Sequence, residues 1–424
     1  LLAKKTANPH DNSLRAPLSP AEAEGSGPSF GDTVGTVLVW NHEKPQTPRA
    51  ELNDQKPGPR VLNLKSRASL TMMLAGVGDQ YLNMGSGLYR SQTDFRQAFD
   101  LCAEHLQSLL TRDIRQDLFR EQADGSTSNS SSAPDFRAML RRGSLKSTQP
   151  EVEGLEATEI VQPLMFSFVY SLATMWQKVG LKPDALIGYS VGEYVAACLA
   201  GVFSLPDALA IVATRAKLIA KMPRGGLMAV PLSEKDCQPL LGESVHVAIT
   251  SSPKQTILAG TPTSLEEVQL SLKARGIVAR ALPGSHAYHS PMLSPVSEHL
   301  VRHLNLVKLK KASIPVISNL TGKPLLESEA TRPDYWSQHT CSTVRFYEGL
   351  SFLLQSGDMD LLEVGPGRSL GSFAMQHPLY NKTGIHNMLS TISGKWENLS
   401  DERVFLDSRG VFHLLGHNSV PGES

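Results

Sequence analysis

The chain has 424 residues, and its 41 basic residues balance its 41 acidic residues, so the formal net charge is zero. A balanced charge gives no indication of binding to nucleic acid or to an anionic membrane surface. Hydrophobic residues make up 41% of the sequence and charged residues 19%, which is typical of a globular protein with a large core.

The cysteines and the apolar segments indicate the compartment. The four cysteines are widely spaced and form no C-x-x-C pair: Cys102, Cys198, Cys237 and Cys341. This spacing favours reduced, buried thiols in a cytoplasmic protein over disulfides or a zinc site. The longest apolar stretch, Leu164 to Trp176, is broken by Ser167, Ser171 and Thr174 and is too short to span a bilayer. It predicts a buried helix.

The two ends of the chain differ in composition from its middle. Residues 1–66 are rich in proline, glycine and charge, which predicts a linker with one strand near residues 33–40. Residues 68–75 then form an apolar run that ends in a glycine loop, which predicts the first core strand. Residues 312–320 resemble another core strand, and residues 396–424 are more polar and are predicted to be a C-terminal linker or domain-edge structure.

The segment around Ser190 has the layout of a nucleophile elbow. The sequence Gly188-Tyr-Ser-Val-Gly192 lies between a short apolar run and an alanine-rich run, which predicts a strand, a sharp turn and a helix. Glycines two residues before and after the serine remove the Cβ clashes of such a turn. The start of the helix supplies free N–H groups suited to a developing oxyanion. Ser190 is therefore the candidate nucleophile.

Residues 226–283 show strand and helix signals in the order βαββαβ, which is typical of a ferredoxin-like subdomain. A Thr263-x-x-Glu266 capping box is predicted to open the second helix. The predicted fold is therefore α/β. A large α/β-hydrolase-like subdomain with a parallel sheet spans 67–225 and 284–395, and the small subdomain is inserted at 226–283.

A serine hydroxyl needs a base to act as a nucleophile near neutral pH. His289 is the best candidate, because it follows the last strand of the small subdomain, where the chain returns to the large one. His286, three residues earlier, would allow a metal pair with His289. No further His, Asp or Glu nearby completes a ligand set, so we expect no metal site.

Five blocks occur in a fixed order along the chain. They are GVGDQY at 76–81, GYSVGE at 188–193, TRAKL at 214–218, HAYHSP at 286–291, and a closing block with YW at 335–336, VRF at 344–346 and EVGPG at 363–367. Together they resemble the acyltransferase domain of type I polyketide synthases and, more distantly, the malonyl-CoA:acyl-carrier-protein transacylases of fatty-acid synthesis. The resemblance covers about residues 67–395. Residues 29–39 faintly resemble the end of a ketosynthase, so 1–66 is interpreted as a remnant of a ketosynthase-to-acyltransferase linker.

The resemblance implies a function and roles for the central residues. Ser190 would take an acyl group from coenzyme A and pass it to the phosphopantetheine thiol of an acyl carrier protein. His289 would act first as base and then as acid. The backbone N–H groups of Val77 and Val191 would form the oxyanion hole, and the backbone carbonyl of His339 would orient His289.

The resemblance also bears on the acyl group. Arg215 would pair with the free carboxylate of a dicarboxylic acyl unit. Tyr288 and Val191 favour malonyl-CoA over methylmalonyl-CoA, because an aromatic ring would fill the space that a C2 methyl group needs. His286 and Tyr189 are further candidates for acyl selectivity. Such a steric preference contributes about 1–3 kcal/mol.

The resemblance implies an acyl-CoA donor and a phosphopantetheinylated carrier protein as acceptor, with no bound cofactor. It also implies a ketosynthase domain as a candidate neighbour in the same polypeptide. Two positions depart from the family pattern: Val77 replaces a glutamine, and Tyr189 replaces the histidine before the serine.

Two other functions stay open from the sequence. A serine esterase or thioesterase of α/β-hydrolase type shares the G-x-S-x-G pattern, but it needs an Asp or Glu between serine and histidine and a histidine near the end of the chain. Here a βαββαβ unit fills most of that interval. The other alternative is a catalytically impaired scaffold domain of a synthase, which only the departures at Val77 and Tyr189 support.

Overall fold

The computed structural model describes residues 35–39, 60–64, 67–120, 155 and 157–417. Near the N-terminus, β1 (Gly35–Val39) pairs antiparallel with β2 (Arg60–Leu64). The rest of the predicted N-terminal linker lies outside the described residues. Within the described part, no helix is both long enough and apolar enough to cross a membrane.

The large subdomain is built on a five-stranded parallel sheet with strand order β11-β10-β3-β4-β9. Its strands are β3 (Ser69–Leu74), β4 (Ala185–Gly188), β9 (Val316–Ile317), β10 (Met359–Val364) and β11 (His386–Ser390). All six residues of β10 are buried, as expected for a central strand covered by helices on both faces. The predicted parallel α/β subdomain is confirmed.

Helices surround this sheet. They are α1 (Ser86–Ser91), α2 (Thr93–Leu110), α3 (Ile114–Leu118), α4 (Thr158–Lys178), α5 (Val191–Leu199), α6 (Leu205–Ala220), α9 (Ser294–Leu304), α10 (Glu327–Ala330), α11 (Pro333–Gln338), α12 (Phe346–Leu354), α13 (Ser369–Met375) and α14 (Asp401–Leu414). Of these, α4 is buried on nearly every side, as the apolar stretch predicted.

The small subdomain has the predicted element order. It consists of β5 (Gly226–Val230), α7 (Glu234–Cys237), β6 (Val245–Ser252), β7 (Gln255–Gly260), α8 (Pro262–Ala274) and β8 (Arg280–Leu282). The four strands form an antiparallel sheet in the order β6-β7-β5-β8, which is the ferredoxin-like order. The predicted small subdomain is confirmed.

The capping box predicted at Thr263 is wrong. Thr261 caps α8 instead, since its side chain accepts a hydrogen bond from the N–H of Ser264. Pro262 then occupies the first helical position, where its missing N–H costs nothing.

Backbone hydrogen bonds join the two subdomains close to the end of β9. Thr250 in β6 donates to the carbonyl of Val344 at 3.0 Å, and Val344 donates to the carbonyl of Ala248 at 2.9 Å. Gly225 donates to the carbonyl of Ser285 at 3.0 Å, which ties the two connecting segments together. The small subdomain therefore has a fixed position beside the carboxyl edge of the large sheet.

The C-terminal region differs from the prediction of a linker over 396–424, because residues 401–414 form α14. Phe405 and Phe412 of this helix pack edge-on against the buried ring of Trp176, with ring centroids 5.0 and 5.8 Å apart. Beyond the helix, His417 Nε2 lies 2.5 Å from Asp360 Oδ2, and both side chains are buried. Residues 401–417 thus belong to the core of the large subdomain.

Candidate active site

Ser190 lies at the sharp turn between β4 and α5, with φ 55° and ψ −117°. A Cβ atom at Gly188 would lie 2.1 Å from the backbone nitrogen of Glu193, and one at Gly192 would lie 2.1 Å from the carbonyl oxygen of Leu74. Both contacts are with backbone that cannot move aside. The turn therefore requires both glycines, for the reason that the sequence suggested.

The side chains of Ser190 and His289 form a hydrogen bond, with Oγ 2.6 Å from Nε2. On the other side of the ring, Nδ1 lies 3.2 Å from the carbonyl oxygen of His339. A carbonyl can only accept, so Nδ1 carries the proton and Nε2 is free to accept from the serine hydroxyl. Such an arrangement can activate the hydroxyl as a nucleophile.

Burial shapes the electrostatics of His289, which is 2% exposed. Burial, followed by the nearby His339 ring and the Arg215 guanidinium, lowers the pKa of His289 well below its usual 6.5. The imidazole is therefore neutral at neutral pH, as a general base must be.

Both residues of this pair have a strained backbone. Among the described residues, five that are not glycine have positive φ, and two of them are Ser190 and His289, with φ 55° and 56°. The left-handed region is unfavourable for side chains with a Cβ, and such residues persist only where the surrounding structure holds them. The fold thus holds both side chains in place against a local conformational cost.

Asn319 fixes the backbone of the elbow, and the sequence analysis missed it. Its Oδ1 accepts the N–H of Ser190 at 3.0 Å, and its Nδ2 donates to the carbonyl of Gly188 at 2.8 Å. Asn319 follows β9, the neighbour of β4 in the parallel sheet. Because the carboxyl ends of parallel strands meet at one edge, a polar residue near the end of the strand predicted over 312–320 was the available signal.

Arg215 is a buried cation without an anionic partner in the described part of the chain. It is 1% exposed, and burial lowers the pKa of its guanidinium from the usual value. Its Nε donates to Thr340 Oγ1 at 3.2 Å, its Nη1 donates to Gln162 Oε1, and the guanidinium lies 5.7 Å from the ring centre of Tyr194. Arg215 Nη2 and Gln162 Nε2 are buried donors without acceptors among the described residues. Such donors can bind a carboxylate that enters from outside.

The two N–H groups predicted for an oxyanion hole lie on segments that meet at the elbow. Val191 is the first residue of α5, so its N–H has no carbonyl of its own helix to bind. Val77 follows Gly76, where a Cβ atom would lie 2.3 Å from the carbonyl oxygen of Tyr189. The loop after β3 therefore lies directly against the elbow.

Of the residues predicted to control acyl selectivity, Tyr288 and His286 flank one wall of the site. The hydroxyl of Tyr288 hydrogen-bonds to Thr158 Oγ1 at the start of α4. His286 contacts Tyr288 edge-on and bonds to Ser285 Oγ through Nδ1, at 2.8 Å. Thr158, which the sequence analysis did not identify, therefore holds the Tyr288 ring.

Tyr189 packs elsewhere, in an aromatic cluster. Its ring lies edge-on to Phe346 and stacked on Phe373, with centroids 5.1 and 6.2 Å away, and its hydroxyl is 3.4 Å from Ser251 Oγ of the small subdomain. Burial raises the pKa of this phenol to about 12. The ring therefore links the elbow to α12, α13 and β6.

A cavity of about 520 Å³ lies where the two subdomains meet, with His289 on its wall. Residues of the small subdomain such as Glu234 and His246 line it together with Thr343 and Arg345 of the large one. Within the described residues, no group of three or more His, Cys, Asp or Glu side chains is arranged to hold a metal ion.

Residues 71–418 match the family model described as "Acyl transferase domain". The chain belongs to this acyltransferase family. The resemblance found in the sequence is thereby confirmed, and the match extends through α14.

Relatives with a curated description include polyketide synthases. The chain is 28% identical over 364 residues to one component of the phenolphthiocerol/phthiocerol polyketide synthase of Mycobacterium tuberculosis, a match that covers 86% of this chain and 22% of that protein. It is 30% identical over 331 residues to the spectinabilin polyketide synthase system protein NorB of Streptomyces orinoci, covering 76% of this chain and 14% of that protein. The chain thus spans about a fifth or less of the length of these relatives.

Solved structures show the same fold. The acyl transferase domain of SpnD, in complex with 2-(pent-4-yn-1-yl)malonyl, matches with a TM-score of 0.72 at 32% identity, covering 85% of this chain and 80% of that one. FabD from Acinetobacter baumannii matches with a TM-score of 0.66 at 23% identity, covering 83% of this chain and all of that one.

Proposed function

We propose that this acyltransferase moves a malonyl unit from coenzyme A to the phosphopantetheine thiol of an acyl carrier protein through an ester on Ser190. The observation that carries the proposal is Arg215, a buried guanidinium with one donor that has no acceptor among the described residues, which is joined to the Ser190–His289 pair through Thr340 and His339. A pocket for an uncharged acyl group would not contain an unpaired buried cation.

In the first half-reaction, Ser190 Oγ attacks the thioester carbonyl while His289 Nε2 takes the hydroxyl proton. The carbonyl π electrons move to oxygen, and the N–H groups of Val77 and Val191 stabilise the resulting oxyanion. Collapse of this intermediate breaks the C–S bond. His289 returns its proton to the departing thiolate, so that coenzyme A leaves as a thiol and Ser190 keeps the acyl ester.

The second half-reaction is the reverse with a different thiol. The phosphopantetheine thiol gives its proton to His289 and attacks the ester carbonyl, and Ser190 leaves with the proton returned from His289. The His339 carbonyl keeps the imidazole in the tautomer required for both steps. Ser190 and His289 therefore react first with the acyl donor, malonyl-CoA, and then with the acyl acceptor, the phosphopantetheine thiol.

Arg215 and Gln162 would bind the free carboxylate of the malonyl unit. Their unpaired donors, Nη2 and Nε2, belong to side chains that are hydrogen-bonded to each other, so both can reach one ligand. A charge-assisted bond of this kind contributes about 1.5–3 kcal/mol. The preference for a charged acyl group follows from these contacts.

The first experiment is to incubate the chain with malonyl-CoA and determine its intact mass. We expect a malonyl adduct on the wild-type protein and none on Ser190→Ala. Replacement of Arg215 by Ala should lower the rate of adduct formation about 100-fold, since it removes the buried carboxylate ligand. It should also raise the rate with acetyl-CoA relative to malonyl-CoA.

Arg115→Ala is the matched control. Arg115 pairs with Asp113 and Asp100 in the α2–α3 region, away from the site. The substitution should leave the rate unchanged. A rate of malonylation that Arg215→Ala leaves unchanged would refute the assignment, and an adduct absent from the wild-type protein would favour the scaffold alternative.

The esterase alternative has less support from the geometry. Its histidine would be oriented by a carboxylate, whereas Nδ1 of His289 faces the backbone carbonyl of His339. We therefore expect transfer to a phosphopantetheine thiol to be much faster than transfer to water.

A further inference from the structure

Glu193, the third residue of α5, is a carboxylate with no exposed surface. It lies three residues after the nucleophile in the chain and plays no part in the steps above. A buried carboxylate is unfavourable unless hydrogen-bond donors surround it. The groups that donate hydrogen bonds to the Glu193 carboxylate therefore indicate which segments this side chain positions.

Three groups surround the Glu193 carboxylate. The N–H of Asn319 donates to Oε2 at 2.7 Å, the hydroxyl of Tyr335 donates to Oε1, and Nε2 of His339 lies 3.3 Å from Oε2. The Tyr335 hydroxyl is also 2.6 Å from Ser318 Oγ, and this second contact fixes the position of its ring. The donors come from the segment after β9 and from the end of α11, which are far from α5 in sequence.

Two of these three groups also contact the reacting pair. Asn319 Oδ1 accepts the N–H of Ser190, and the carbonyl of His339 faces Nδ1 of His289. The carboxylate is therefore hydrogen-bonded to Asn319, which binds the serine backbone, and lies 3.3 Å from the side chain of His339, whose carbonyl faces His289.

We propose that Glu193 is a positioning residue that sets the relative placement of Ser190 and His289 through Asn319 and His339. This inference rests on the proposed function, because it assigns a role within the same acyl transfer. Glu193 touches neither substrate nor the reacting atoms. It fixes the two strained residues that do react, and it does so with a single side chain.

Substitution by glutamine tests this because of the donor pattern. The N–H of Asn319 and the hydroxyl of Tyr335 donate to the carboxylate, and Nε2 of His339 lies 3.3 Å from it, whereas a glutamine side chain has one acceptor oxygen and one NH₂ donor. In Glu193→Gln the NH₂ group would face either the N–H of Asn319 and Nε2 of His339, which would then move, or the Tyr335 hydroxyl, which would have to turn its proton toward Ser318 Oγ. The size of the side chain is unchanged, so packing is preserved.

Asp360→Asn is the matched control. Asp360 is also a fully buried carboxylate bound to a histidine, His417, and it accepts a bond from Asn387 Nδ2 at 2.7 Å. It lies at the amino end of β10, opposite the edge that carries the site. The control therefore reproduces the loss of a buried carboxylate without touching the elbow.

Two rates are measured on the full chain. One is the single-turnover rate of malonyl-enzyme formation, followed by quenched mass spectrometry over a range of malonyl-CoA concentrations. The other is the labelling of Ser190 by a fluorophosphonate, whose reaction needs the serine–histidine pair but not the coenzyme A or carboxylate contacts. Thermal unfolding is recorded for every variant.

We expect Glu193→Gln to lower both rates about 10- to 100-fold, which is the equivalent of one charge-assisted hydrogen bond. The malonyl-CoA concentration that gives half the maximal rate should change less than about threefold. Asp360→Asn should lose comparable thermal stability and keep both rates within about twofold. If Glu193→Gln does not fold, Tyr335→Phe, which removes one hydrogen bond to the carboxylate, should lower both rates about 3- to 10-fold.

Equal rates in Glu193→Gln and Asp360→Asn, or an effect on half-saturation alone, would overturn the inference. Wild-type protein that labels with the fluorophosphonate but forms no malonyl adduct would refute the proposed function instead. In that case the labelling rates still decide the role of Glu193.

Discussion

His289 carries the clearest pH dependence at the scale of single residues. Its pKa is lowered well below 6.5 by burial and by the neighbouring His339 and Arg215, so protonation is disfavoured in the folded protein. The base form is therefore present at all pH values above that lowered pKa. We expect the single-turnover rate of malonylation to stay constant from pH 8 down to about 6.5 and to fall only below it.

The control for this measurement is thermal unfolding at each pH, which separates titration of the base from acid unfolding. A rate that is already halved at pH 6.5 or above, in protein that is still folded, would contradict the burial argument. It would mean that the imidazole is protonated as easily as a free histidine.

Thr158 offers a test of acyl selectivity at the same scale. The hydroxyl of Thr158 is hydrogen-bonded to the hydroxyl of Tyr288. We propose that the Tyr288 ring fills the space that the C2 methyl group of a methylmalonyl unit needs. Thr158→Val keeps the shape and removes the hydrogen bond, so the ring can move aside. We expect the ratio of kcat/KM for methylmalonyl-CoA over malonyl-CoA to rise by up to about tenfold.

Thr256→Val serves as the comparison for Thr158→Val. Thr256 is equally buried and donates to the carbonyl of Leu232 within the small subdomain. It should leave the ratio unchanged. An unchanged ratio in Thr158→Val as well would show that Tyr288 is held by other contacts.

At the scale of elements, the sequence predicted those whose signal is local. The apolar stretch that predicts α4 and the strand–glycine–helix pattern around Ser190 each lie within one segment of the chain. The buried helix and the nucleophile elbow both form where expected. The strand predicted near 312–320 forms only as Val316–Ile317, because it pairs along a short stretch at the sheet edge next to β4. The length of β9 depends on its pairing with β4, and the sequence of residues 312–320 alone does not specify that pairing.

The same distinction applies to the site. The structure brings Ser190, His289, Arg215 and the His339 carbonyl together, as the family motifs implied. Asn319, Gln162, Thr158 and Glu193 gain their roles only from contacts between segments that are 53 to 131 residues apart. No pattern of residues within one segment encodes such contacts.

At the scale of the whole molecule, the C-terminal segment completes the core of the large subdomain. The polar faces of α14 made residues 396–424 resemble a linker, yet its buried positions carry two aromatic rings that cover Trp176. Ser408 in this helix also donates to the carbonyl of Ser390, at the end of β11, at 2.7 Å. The helix is thus fixed to the sheet as well as to α4.

This packing leads to a stability prediction. Phe412 is fully buried, so Phe412→Ala should lower the free energy of unfolding by about 3–5 kcal/mol. Phe352→Ala is the control, because Phe352 in α12 is 41% exposed and should cost less than about 1 kcal/mol. Urea unfolding followed by circular dichroism gives both values. Equal stabilities for the two variants would show that α14 contributes no more than a linker would, whereas the expected difference would show that α14 is part of the folded core.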